Sequence, residues 1–201
     1  LPKMKTHKKS GITCSLKNLV GINTYRNYLP HYTLGSPSNG GDQFPENKFR
    51  SNLETKWVTF IKNKLLPHKP FAYLFIPIKP IVRLFLGDTR RIIRSGNWYG
   101  NDTIWRMILD LNKIILYGDA NGRLKKERQR YYISIVDGII AGEGEGPKAP
   151  DAKESNCIIA GINPVAVDSV CARFMGFDPI KIPSIYNSFK IKNYPIVNFN
   201  T

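Results

Sequence analysis

The chain has 201 residues, 42% of them apolar, and carries a formal net charge of +15 from 30 Lys and Arg against 15 Asp and Glu. That length and apolar content supply one good hydrophobic core and exclude a disordered chain. Three cysteines, Cys14, Cys157 and Cys171, none in a C-x-x-C spacing, argue against a disulfide framework and against an iron–sulfur cluster held by this chain alone.

Leu1 and Pro2 open the chain in what reads as the middle of a motif, the expectation for a piece of a longer protein, so a missing leader sequence carries little weight. Residues 1–22 predict a strand end, a basic turn and a short helix or strand closing at Gly21. Residues 23–52 are polar, with Gly, Ser, Pro and Asn gathered at 35–42, and predict a long loop. Leu53, Trp57, Val58, Ile61 and Leu65 then recur at helical spacing, which predicts an amphipathic helix over 53–66 ended by Pro67.

The stretch 71–86, opening on Phe71 and closing on Leu86, is the most hydrophobic of the chain. It falls short of the roughly 20 apolar residues that span a bilayer, and Pro77, Lys79, Pro80 and Arg83 interrupt it. It fits burial in a core or subunit interface, or a broken helix lying in a membrane interface. Asn101 or Asp102 caps a predicted helix with Ile104, Trp105, Ile108, Leu111, Ile115 and Leu116 on its apolar face, finishing before Gly118.

Residues 119–130 predict a polar, basic turn region, and 131–136 a strand that ends in a glycine and glutamate loop over 137–147. A second buried strand is predicted at 156–161. Asn163 as N-cap and Pro164 in the first turn open a helix to about Met175, with Gly176 as its left-handed cap. Asp178 and Pro179 start another short helix, and the tail beyond Lys190 reads as extended. Strands alternating with helices predict a single α/β domain over 1–201, a layered sandwich with a largely parallel or mixed sheet.

The glycine and glutamate loop is the foremost site candidate. Asp137, Glu143 and Glu145 supply hard oxygen ligands or acid and base groups, and Gly138, Gly142, Gly144 and Gly146 permit close backbone approach. The spacing is wrong for a phosphate-binding glycine loop, and glutamates repel bare phosphate. A divalent cation such as Mg²⁺, bridging the carboxylates to an anionic ligand, fits better, with hydrogen bonds to a hydroxylated ligand or simple loop capping as alternatives.

Ligands in open α/β sheets collect beyond the carboxyl ends of strands, so the turn after Lys5 and the loop after Val136 are expected to share a crevice. There Lys5, Lys8, Lys17 and Asn18 would bind an anion and His7 would act as acid or base; a solvated basic turn is the plainer reading. Asp168 sits one turn into its helix at the edge of an apolar face, as a site carboxylate or as a partner of the helix N-terminus. Trp98 with Tyr99 can stack on a sugar or base beside Asn101, with Arg106 pairing an anion, or this loop can simply cap a helix.

Residues 2–21, 136–147 and 163–179 together resemble the bacterial and archaeal domain-of-unknown-function family three-six-two, three motifs in the expected order that bracket nearly the whole chain. The resemblance implies no settled activity. Some full-length members of that family join this domain to ferredoxin-like iron–sulfur segments, which would place any cluster outside the present chain. The span 23–130 is then the variant part, an insertion that would set substrate or location.

Charge is unevenly placed: residues 1–118 hold 19 Lys and Arg against 6 Asp and Glu, and residues 119–201 hold 11 against 9. A basic field of this kind attracts anions of every class. The leading expectation is therefore an enzyme domain acting on an anionic small molecule, metal-assisted in one version. The alternative is a noncatalytic module docking through 71–86 and the basic first part onto an anionic membrane. Nucleic acid fits less well, because the aromatics are not interleaved with basic residues in any known module. Cysteine usage fits a reducing, cytoplasmic setting, with peripheral membrane association in the alternative reading.

Overall fold

A computed structural model describes residues 3–4, 12–24, 29–31, 36–42, 100–145 and 149–197. Two compact units divide the chain, one formed by Leu1–Thr24 with Ile104–Thr201 and the other by Tyr25–Thr103. The second lies inside the span 23–130, whereas residues 104–130 belong to the first. The helix expected at 53–66, the hydrophobic stretch 71–86 and the residues Lys5, His7, Lys8 and Trp98 fall outside the described residues.

The first unit mixes helices with antiparallel strand pairs. Strand β1 (Lys3–Met4) pairs with β2 (Ile12–Thr13), which runs directly into helix α1 (Ser15–Ile22). Leu16, Leu19 and Val20, spaced three and four apart, give α1 its buried face against helix α2 (Ile104–Tyr117). Ile104, Ile108 and Leu116 line the facing stripe of α2, and Asn112 sits among them fully buried. Its Nδ2 donates to Leu16 O at 2.9 Å and to Ile108 O at 2.8 Å, so one amide joins the two helices. Helix α2 ends where the sequence predicts, at Gly118, whose N–H still reaches Ile114 O at 2.8 Å.

Residues 119–130 form a tight basic turn. The Asp119 carboxylate accepts from Arg123 N at 2.8 Å and Asn121 N at 2.9 Å, and Lys125 lies 3.2 Å from it. These contacts, led by the Arg123 amide, hold its pKa below the ordinary carboxylate value. Arg128 and Arg130 are spent on structure: Arg128 reaches Ile196 O at 2.9 Å and Arg130 reaches Ile115 O at 3.0 Å. Residues 191–197 are thus tied down, with Ile196 fully buried.

Strands β3 (Ser134–Glu145) and β4 (Ala149–Gly161) form an antiparallel ribbon. A parallel or layered sandwich is not what these strands build; among the described strands every pair is antiparallel. The reason is connection length, since β3 and β4 are too close in sequence for the crossover of a dozen or more residues that parallel neighbours need. The region expected to be an acidic loop is therefore strand to Glu145. Its glycines serve cross-strand contact: a Cβ at Gly138 would stand 2.8 Å from Cys157 Sγ, and one at Gly142 would stand 3.0 Å from Pro150 Cβ.

Helix α3 (Pro164–Phe174) starts as expected, Asn163 Oδ1 accepting from Val165 N at 3.0 Å and Ala166 N at 3.3 Å, and Gly176 follows it at φ 80°. A 3₁₀ turn (Pro179–Lys181) is capped by Asp178, and helix α4 (Pro183–Ser188) places Ile185 in the core with Val165. In the second unit a 3₁₀ turn (Pro37–Asn39) is closed by Gly40 at φ 76°. No helix among the described residues is long and apolar enough to cross a membrane.

Candidate functional site

The first unit gathers its buried polar chemistry at the start of α1. Helix α1 exposes backbone amides at its first turn, which need acceptors. Asp168, one turn into α3, provides them: Oδ1 accepts from Ser15 N at 2.6 Å and from Leu16 N at 3.3 Å. The anticipated interaction with a helix N-terminus is real, but the helix is α1, far away in sequence, and not the one that carries Asp168. Asp168 is fully buried, and burial raises its pKa from 3.8 to about 7 even though the two amides oppose the rise.

Two thiols flank this carboxylate. Cys14 is the N-cap residue of α1, and Cys171 lies one turn beyond Asp168 on α3. Cys14 hydrogen-bonds the Cys171 sulfur and lowers its pKa below the ordinary thiol value of 9.0, against burial and the neighbouring Asp168 charge. Cys171 is buried and Cys14 half-buried. Ser15 Oγ shares a hydrogen bond of 3.2 Å with Tyr132 OH, which brings the approach to β3 to the same corner. Lys17 is buried on α1 and Asn18 is exposed.

The expected carboxylate group is dispersed along the ribbon. Asp137 is exposed on β3 and accepts from the amide of Ile139 at 3.2 Å, a local turn contact. Glu143 is also exposed and forms an ion pair of 2.6 Å with Lys153 on the facing strand. Glu145 ends β3 beyond them. Among the described residues no three His, Cys, Asp or Glu side chains are placed to hold a metal ion.

Arg106 is exposed on α2, its guanidinium carbon 4.8 Å from the Trp105 ring centre, a cation–π contact. Asn101 belongs to the second unit, where it is fully buried beside Asp42. Asn101 Nδ2 donates to Asp42 Oδ2 at 3.4 Å, Thr103 Oγ1 lies 3.1 Å from the same oxygen, and His31 Nδ1 stands 3.6 Å away. Asn101 Oδ1 also accepts from Thr103 N at 3.0 Å, so its polar groups hold this unit's loops together.

Sequence reasoning passed over Cys14, His31 and Asp42. Cys14 stands two residues before Leu16, the first apolar-periodic residue of α1, where the sequence places a helix start. His31 and Asp42 are separated by a polar stretch whose local pattern says nothing of their meeting.

A family model described as "Domain of unknown function (DUF362)" matches residues 1–173. No curated protein and no solved structure matches the chain.

Proposed function

The chain belongs to this DUF362 family of unknown function, and on that footing we propose that it is an enzyme domain that binds and transforms an anionic small molecule beside the start of α1. One observation carries the reading: the Asp168 carboxylate, 2.6 Å from Ser15 N, pins the first motif to the third and holds an ionisable group with a pKa of about 7 at the junction. Perturbed carboxylates of this kind concentrate at functional sites. In sequence the basic segment containing Lys5, His7 and Lys8 connects β1 to β2, and β2 runs into α1. Lys5, Lys8 and Lys17 supply the positive field, His7 the acid or base, and Asp168 positions the corner.

Metal assistance is a second arm of the proposal. Mg²⁺ bridging to the anion through Glu143 would require Lys153 to release that carboxylate, and Asp137, six residues back along β3, would not share the ion. Titration calorimetry of the full chain with inorganic pyrophosphate, with and without Mg²⁺, tests both arms. Saturable binding that falls at least about tenfold in Lys5→Ala/Lys8→Ala and in His7→Ala supports the anion site, and tightening by Mg²⁺ that vanishes in Glu143→Gln supports the metal. Binding that is absent at low ionic strength, or unchanged in all variants, overturns the reading.

A further inference from the structure

We propose that Cys14 and Cys171 form a reversible redox pair, closing to a disulfide that locks the start of α1 onto α3. Their adjacency stands on geometry. Asp168 Oδ1 lies 2.6 Å from Ser15 N, next to Cys14 in sequence, and Cys171 follows Asp168 by one helical turn on the same buried side of α3. The Cys14 thiol accordingly sits within hydrogen-bonding reach of the Cys171 sulfur. Cys157 is held elsewhere, its Sγ directed at Gly138 O at 3.8 Å within the ribbon.

Exposure divides the labour. Cys14 is half-buried and can meet a reagent from solvent, whereas Cys171 is only 1% exposed. With a low-molecular-weight disulfide such as oxidised glutathione as the oxidant, the Cys14 thiolate attacks one sulfur, the S–S bond of the oxidant breaks, and one glutathione thiolate leaves. The Cys171 thiolate then attacks Cys14 Sγ in the mixed disulfide, and the second glutathione leaves. Two thiols have lost two protons and two electrons, and the oxidant has become two thiols. Reaction of the resolving Cys171 sulfur is intramolecular, which favours it over attack by a second molecule of external thiol.

The bond would join residues separated by most of the chain, so it constrains the unfolded state strongly. It also fixes the helix that carries Asp168 against the amides that Asp168 caps. The inference is independent of any anion site.

Wild-type full chain treated with oxidised glutathione, then alkylated and mapped by mass spectrometry, tests it. We expect a Cys14–Cys171 linked peptide lacking two hydrogens, no retained glutathione, full reversal by dithiothreitol, and a rise in Tm of about 5–10 °C. Cys171→Ser should stop the reaction at a glutathione adduct on Cys14. A stable adduct on Cys14 in the wild type, a linkage through Cys157, or both thiols left unreacted would each overturn the pair.

Discussion

Asp168 illustrates how one buried side chain serves two helices. An aspartate without exposure favours its neutral form, and the amides of Ser15 and Leu16 only partly offset that preference. Its pKa in the folded protein, about 7, exceeds the unfolded value near 3.8, so between those pH values the folded state binds more protons than the unfolded one. Stability therefore falls as pH rises through that window and levels off above it. Asp168→Asn keeps an acceptor for Ser15 N but never ionises. Relative to that variant, the wild type should lose about 2–3 kcal/mol between pH 5 and pH 8 in urea denaturation. Equal slopes for the two proteins would show that the carboxylate does not hold its proton. Asp168 was legible in the sequence as a residue of interest, from its place one turn into a capped helix. Its partner was not, because Ser15 lies at the other end of the chain and no local pattern encodes a contact at that separation.

The ribbon β3–β4 shows why element type can be read correctly in part and wrongly in extent. Ser134, Val136 and Gly138 are buried and Ile133, Ile135 and Asp137 are exposed, a strict period of two that identifies strand. Beyond Gly138 the glycines read as loop, since Gly is the strongest local punctuation. In the fold they meet the partner strand closely, and a register shift between Gly138 and Ile140 absorbs the irregularity. The helix α3, by contrast, was legible at both ends, because Asn163, Pro164 and Gly176 act through hydrogen bonds and backbone angles within a few residues. Facing in the ribbon can be checked directly. Ile135→Thr changes an exposed side chain and should alter stability by no more than about 0.5 kcal/mol. Val136→Thr places a hydroxyl at a site 7% exposed and should cost roughly 1–3 kcal/mol in the same denaturation assay. The reverse order would mean that the register is off by one residue.

At the scale of the whole molecule the governing quantity is a net charge of +15, most of it in residues 1–118. Part of the basic complement in the later half is already committed, with Arg128 and Arg130 bound to carbonyls and Lys125 and Lys153 to carboxylates. The residual field repels itself in the compact state, and salt screens such repulsion over a Debye length of roughly 10 Å at 0.1 M. Melting temperature should therefore rise by several degrees, about 3–6 °C, when NaCl goes from 10 to 300 mM, levelling once charges beyond a few ångströms are screened. A general field and a built anion site respond differently to the anion's identity. At matched ionic strength, general screening makes chloride and phosphate equivalent, whereas a site near Lys5, His7 and Lys8 adds an increment for phosphate alone, growing as the logarithm of its concentration once the site is filled. Differential scanning calorimetry in the two salts separates these cases. Loss of the phosphate increment in Lys5→Ala/Lys8→Ala, with the chloride response kept, would localise recognition to the segment between β1 and β2; identical curves in both salts would mean that the charge is only a solvated surface.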